Sequence, residues 1–213
     1  MSKQYIYIAR HGETVGNAAD IVQTAVEELT SAGHLQAQRL ATRASALKFS
    51  RLLASDMTRA QQTAQYIAEA TNISIETVPD AREFENPSRF QECARQNPDF
   101  LEHVMARVDS FAADNWDFKD SDEESFREFH ARAERVREMF AASTDNFFMV
   151  THGHFLRFFA ASLLCGPSFS PKVWHLFGNR MLLSNTGITV FVRDLNDNRW
   201  YLERWNDTAH FAE

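Results

Sequence analysis

Three short stretches of this chain combine groups that grip anions with groups that attack electrophiles or move protons. An apolar run, Tyr5-Ile6-Tyr7-Ile8-Ala9, passes directly into Arg10-His11-Gly12-Glu13-Thr14. A second, Asn146-Phe147-Phe148-Met149-Val150-Thr151, passes into His152-Gly153-His154. Between them, Leu52-Leu53-Ala54 is followed by Ser55-Asp56-Met57-Thr58-Arg59-Ala60. Arginine presents a planar fork that matches phosphate or carboxylate oxygens. Histidine serves as base or nucleophile near neutral pH, and glycine lets the backbone turn sharply and approach a ligand closely. A lone histidine at a strand end has an ordinary structural explanation, as does an arginine early in a helix. The recurrence of strand-then-His-Gly, with a third strand followed by arginine, is what points to a site. Ligands of open α/β sheets bind in the crevice beyond the carboxyl ends of the strands. If the strands ending at Ala9 and Thr151 are neighbours, His11 and His152 converge. A helix starting at Gly153 would then aim free backbone N–H groups at an anion. Two arginines, two histidines and helix-start amides suit a phosphoryl dianion.

The elements that must position these residues are legible as alternating patterns. Strand signals recur at 4–9, 51–54, 73–78, 146–151, 187–192 and 199–204. Helical spacing joins Leu35, Leu40, Ala44 and Leu47 after a candidate cap at Ser31, and Ala60, Ala64, Ile67 and Ala68 after Ser55. Two further helical faces follow, Leu101, Val104, Val108 and Phe111, then Phe126, Phe129, Ala133, Val136 and Phe140. This alternation predicts an α/β fold, a three-layer α/β/α sandwich around a largely parallel mixed sheet covered on both faces. The stretch from about 84 to 145 breaks it with two helices in succession and reads as a helical cap-like insertion. Nothing divides the chain into two cores, so residues 1–213 are expected to form one domain.

Composition narrows the function. The formal charge of −7 argues against a nucleic-acid partner or an anionic membrane surface, since both need a basic face. Cys93 and Cys165 have no metal or disulfide spacing, and no signal-peptide or membrane-spanning pattern is seen, so a reduced, cytoplasmic setting is expected. Eighteen of the 22 basic residues are Arg, a bias that base composition explains as readily as anion binding.

At this point the chain resembles the histidine phosphatase superfamily, in its phosphoglycerate-mutase-like branch. The resemblance rests on Arg10-His11-Gly12-Glu13-Thr14 with Asn17, and on Leu29-Thr30 followed by Gly33-His34-Leu35-Gln36-Ala37. It continues through Ser55 to Ala64, Glu124-Ser125 with Phe129 and Arg132, His152-Gly153 with Arg157, and Ser184-Asn185-Thr186-Gly187. It implies that His11 attacks phosphorus and becomes a phosphohistidine. That role needs a neutral ring whose attacking nitrogen is bare and whose other nitrogen donates to a backbone carbonyl. It also implies that Arg10, Asn17, Arg59, His152 and Gly153 hold the phosphoryl oxygens, with no metal or other cofactor required. Glu83 matches the family's general acid and base, with a pKa expected to be raised by partial burial and by substrate charge. The residues around it depart from the family pattern, with Ala81 before it and Phe84-Glu85-Asn86-Pro87-Ser88 after it. Glu85 is therefore a competitor for the role.

The expected reaction is hydrolysis of a small-molecule phosphomonoester. A phosphoglycerate-mutase-type phosphotransferase and a non-catalytic binder of a phosphorylated ligand are the alternatives. The chain lacks the longer insertion and the Asn-Glu-Arg approach typical of the mutases. His152-x-His154 also admits a metal-site reading, but no second cluster has ligand spacing. Arg82, Arg89, His154 and Arg180 are candidates for reading a second anionic group, and the 18 Phe for an apolar wall of the pocket. Substrate identity and oligomeric state are not legible.

Overall fold

The computed structural model describes residues 2–211. Among these, six strands alternate with seven helices. In chain order they are β1 Lys3–Arg10, α1 Val15–Ala18, α2 Ser31–Ser45, β2 Arg51–Ala54, α3 Thr58–Thr71, β3 Ile75–Thr77, α4 Pro98–Ala112, α5 Phe126–Ala141, β4 Phe147–Thr151, α6 Gly153–Cys165, α7 Pro171–Phe177, β5 Ile188–Asp194 and β6 Trp200–Asp207. The sheet order is β3-β2-β4-β1-β5-β6. The first four strands are parallel, while β5 and β6 run antiparallel to β1 and to each other. The mixed, largely parallel sheet expected from the sequence is therefore present. The aromatic strand β6 forms its outer edge.

Alternation along the central strands decides which helices cover which face. Ile6, Ile8, Leu53, Phe147 and Met149 point into one core, with α5 and α6. Tyr7, Ala9, Leu52, Ala54, Phe148 and Val150 point into the other, with α2 and α3. Period-2 strands buried on both faces make the three layers. The two cores differ in kind. Eleven phenylalanines fill the α5–α6 side, whereas alanines from α2 and α3 let those helices lie close on the opposite face. The phenylalanines are thus interior packing, and Phe84 alone among them lines the polar cavity described below.

Local chemistry explains where the helices begin. Thr30, not Ser31, caps α2, accepting the Gly33 N–H at 3.0 Å. Ser125 and Glu128 form a reciprocal capping box that starts α5. No side chain caps α3, which begins three residues beyond Ser55; the Ser55 hydroxyl accepts the Met57 N–H at 3.3 Å and lies 2.9 Å from His152 Nε2. The expected α5 face is buried in full. In α4 the expected face is rotated: Leu101 is exposed, and Phe100, His103, Ser110 and Phe111 turn inward. A buried histidine joins that face because Asp120 and Glu123 meet its ring at 3.2 and 3.1 Å, pairing that a hydrophobicity pattern does not register. Of the two helices between 84 and 145, α5 packs into the main core, while α4 lies chiefly against α7.

Candidate active site

Strand order brings the three motifs together. β1 and β4 are neighbours in parallel register, with Arg10 beside Thr151, and Ala54 on β2 is level with Val150. His11 and His152 therefore leave adjacent strands at the same level. Their ring centres are 5.2 Å apart, and both are essentially inaccessible. The His11 N–H donates to Thr151 O at 2.9 Å, and the Ser55 N–H to Val150 O at 3.0 Å, so the turns themselves extend the sheet's hydrogen bonding.

His11 Nδ1 lies 2.7 Å from Gly12 O. A carbonyl only accepts, so Nδ1 carries the proton and Nε2 keeps its lone pair. Arg59 Nε donates to that Nε2 at 3.3 Å. Burial holds the His11 pKa well below the ordinary histidine value, and the Arg59 and Arg10 guanidiniums add to the effect. The ring is neutral, in the tautomer a nitrogen nucleophile needs. Gly12 is required by close approach: a Cβ there would meet Gly33 O at 2.6 Å. Its N–H is held by Thr63 Oγ1 at 3.0 Å.

Arg59 is itself fixed. Its Nη1 donates to Thr24 O at 2.7 Å and its Nη2 to Met57 Sδ at 3.2 Å. Arg10 Nη1 donates to Leu183 O at 3.0 Å, while its Nε is buried with no partner among the described residues. A Cβ at Gly153 would lie 3.3 Å from that Nε, so glycine lets α6 start against the arginine. His152 Nε2 and Ser55 Oγ are 2.9 Å apart, and His152 Nδ1 is a second buried atom without a partner. Burial, then Arg59, His11 and Arg10, hold the His152 pKa well below its usual value. Asn185 Nδ2 donates to His11 O at 2.9 Å and to Asn17 Oδ1 at 3.0 Å, tying the late turn to the first motif.

Glu83 faces this assembly from the segment after β3. Its Oε2 accepts the His154 N–H at 3.0 Å and its Oε1 the Phe155 N–H at 2.9 Å. These are helix-start amides of α6, so two of the donors expected to face an anion are taken by the carboxylate. The expected upward pKa shift is not seen. Burial pushes Glu83 up, but the His154 ring, the backbone N–H groups of His154 and Phe84, and Arg59 outweigh it and hold the carboxyl below its usual range. Glu85 instead pairs with Arg82 at 3.3 Å, in an adjoining pocket. The backbone carrying Glu83 is pinned by Arg132, whose guanidinium donates to the carbonyls of Asp80, Arg82 and Glu83. Arg132 also forms a two-pronged ion pair with Glu124 at 2.6 and 2.7 Å.

Arg10, Asn17, Glu83 and Gly153 line a cavity of about 520 Å³, and Arg59 lines the pocket adjoining it at Glu83. Of the residues considered for a second anion, Arg82 is engaged by Asp56 at 2.6 Å, and Arg89 pairs with Asp120 on the surface. Arg180 is exposed and does not line this cavity. His154 does line it, yet burial lowers its pKa to about 3, so it is uncharged at neutral pH. The arginines lining the cavity besides Arg10 are Arg95, Arg107 and Arg157. Arg95 and Arg107 sit in the segment with the weakest sequence pattern, and nothing in the sequence marked them. His152 and His154 diverge, and among the described residues no group of three or more His, Cys, Asp or Glu is placed to hold a metal. No helix among the described residues is long and apolar enough to cross a membrane.

A buried neutral histidine flanked by two guanidiniums, at the carboxyl edge of a parallel sheet, has the chemistry of an anion-binding class of site. The family model for the histidine phosphatase superfamily (branch 1) matches residues 6–208, and the chain belongs to that superfamily. Its relatives include a Yersinia pestis (strain Pestoides F) protein named "Probable phosphoglycerate mutase GpmB", 27% identical over 96% of this chain and 94% of that protein. Among solved structures, a mycobacterial glucosyl-3-phosphoglycerate phosphatase superposes with a TM-score of 0.77 at 22% identity, covering 97% of this chain and 100% of the other. An Entamoeba histolytica phosphoserine phosphatase in complex with 3-phosphoglyceric acid gives 0.74 at 24%, covering 97% and 98%. At these identities the two structures speak for the shared fold.

Proposed function

We propose that this chain hydrolyses small phosphomonoesters through a phosphohistidine on His11. The observation that carries the reading is the His11 tautomer: Nδ1 is held by Gly12 O and the bare Nε2 faces Arg59. A phosphoryl group enters between Nε2 and Arg59, displacing their contact. Arg10 Nε and His152 Nδ1, both buried here without a hydrogen-bond partner, and Arg59 take its equatorial oxygens. Nε2 attacks in line as the bond to the leaving oxygen breaks, and Glu83 gives that oxygen its proton. Water then attacks phosphorus, Glu83 takes the proton back, the P–N bond breaks, and phosphate leaves with His11 neutral again.

Glu83 starts ionised in the free protein, because the α6 amides favour its carboxylate. The arriving phosphoryl charge reverses that balance, so Glu83 acquires its proton together with substrate. Rapid-quench labelling with a phosphomonoester tests the scheme. An acid-labile phosphoprotein forms in the wild type and is absent from His11→Ala. If His11→Ala turns over at the wild-type rate, the scheme is wrong. The relative named as a mutase raises phosphoryl transfer as the second reading. Release of inorganic phosphate from a phosphoglycerate marks a phosphatase, and migration of the group between hydroxyls marks a mutase.

A further inference from the structure

The His152 ring has one proton for two nitrogens, because burial and the charges of Arg59, His11 and Arg10 keep it neutral. Which nitrogen holds the proton decides what the ring can do for a phosphoryl oxygen. An N–H donates to that oxygen, and a bare lone pair repels it. Nδ1 is buried without a partner, and Nε2 lies 2.9 Å from Ser55 Oγ. Ser55 is wholly buried just beyond β2, with its N–H on Val150 O at 3.0 Å and its carbonyl on Gln61 Nε2 at 2.7 Å. Its Oγ accepts the Met57 N–H at 3.3 Å. A hydroxyl has one proton to give, and among the described residues His152 Nε2 is the acceptor it meets. With the ring proton on Nε2 instead, Oγ would receive two N–H donors and its own proton would be buried with no acceptor, which is costly. A bare Nδ1 would then face the anion site.

We propose that Ser55 is a positioning residue for the phosphoryl transfer: its hydroxyl donates to His152 Nε2 and holds the ring as the Nδ1–H tautomer, so that a donor meets the equatorial oxygens. The proposal rests on the phosphatase reading and deepens it, since that reading needs Nδ1 to donate. It makes the two histidines a pair in the same tautomer, set by opposite means. A carbonyl accepts from Nδ1 of His11 and leaves Nε2 bare to attack, whereas a hydroxyl occupies Nε2 of His152 and leaves Nδ1–H to donate. In the sequence Ser55 reads only as a residue ahead of a helix. Its place beside a ring 97 residues later follows from β2 and β4 being neighbours.

Ring nitrogens of ¹⁵N-histidine-labelled protein test this with no ligand present. A long-range ¹H–¹⁵N spectrum, with His152 assigned by the signals that His152→Asn loses, is expected to show a protonated Nδ1 and a bare Nε2 in the wild type. Ser55→Ala moves the proton toward Nε2 and leaves the His11 signals in place. It weakens calorimetric binding of inorganic phosphate about 10-fold and lowers kcat/KM about 10- to 100-fold. Ser55→Cys, which keeps a side chain of similar size with a weak donor, gives the same changes in smaller measure and replaces the alanine variant if that chain does not fold. A proton on Nε2 in the wild type overturns the proposal. So does a His152 tautomer that the substitution leaves unchanged, since any lost activity then reflects packing alone. A changed tautomer with unchanged phosphate affinity and kcat/KM overturns it as well. Failure of the phosphatase reading shows separately, as wild-type protein with the stated tautomer that releases no phosphate from p-nitrophenyl phosphate.

Discussion

His11, Arg59 and His152 are 1%, 1% and 0% exposed, while in the segment between β3 and α5 the side chains of Arg95, at the cavity rim, and Arg89, on the surface, are 46% and 49% exposed. The first group stands at the carboxyl edge of the parallel strands, each side chain held by a fixed partner: Gly12 O at His11, Thr24 O and Met57 Sδ at Arg59, Ser55 Oγ at His152. The second group stands on the segment between β3 and α5 and is held by carboxylates on neighbouring loops. A site that stabilises a transition state needs donors fixed before reaction begins. A wall that reads a leaving group tolerates looser, screened contacts. On the proposed reading, the chemistry belongs to the sheet edge and the leaving-group contacts to the inserted segment.

The strongest test of that division is His11→Ala. It is expected to reduce turnover by at least about 10⁴-fold, as loss of a nucleophile does, with little change in thermal midpoint. A comparable loss from an Arg95 substitution would break the comparison. Next comes Glu83→Gln, expected to lower kcat by about 10²- to 10⁴-fold for alkyl phosphates. The loss is smaller for p-nitrophenyl phosphate, whose leaving oxygen needs little protonation, and equal losses would remove Glu83 from the acid role. Arg132→Met sharpens the boundary between the two regions. Its pair with Glu124 is only 13% and 8% exposed, and burial already pushes the Glu124 pKa up. Breaking it is expected to cost about 3 kcal/mol in urea unfolding. Turnover of alkyl phosphates should fall with it, because the backbone of Glu83 is released.

The smallest effect for any single side chain is in pH. His11, His152 and His154 all titrate below the ordinary histidine value in the folded chain, each chiefly because of burial. The unfolded chain then binds more protons, so their contribution is complete above about pH 6.5 and is lost as pH falls below it. Each is expected to contribute a slope of about 1.4 kcal/mol per pH unit once the unfolded-state histidine is fully protonated. Unfolding followed from pH 7.5 to 5 checks this, and His154→Phe is expected to flatten the slope.

Much of the fold was legible because buried strands and amphipathic helices impose their periods on sequence. The α5 face from Phe126 to Phe140 needed no correction, being wholly apolar and bounded by the Ser125–Glu128 box. The α4 face was misread because His103 is buried against the carboxylates of Asp120 and Glu123, and such contacts have no period. The strand at 73–78 is shorter than its pattern, Ile75–Thr77, since it pairs only with β2 at the sheet's edge.

What the sequence determined by itself is the strand-then-His-Gly motif at residue 11 and again at 152, with Arg59 after a third strand. A residue that follows a buried parallel strand must emerge at the carboxyl edge of the sheet, so local pattern suffices to place it there. Only the tertiary structure decided that β4 lies between β1 and β2 and so brings the three ends together. It also decided which His11 nitrogen is bare, and that α6 amides 71 and 72 residues away hold Glu83 ionised. Those outcomes depend on hydrogen bonds and burial between distant segments, where protonation and charge are set by whichever groups the fold makes neighbours.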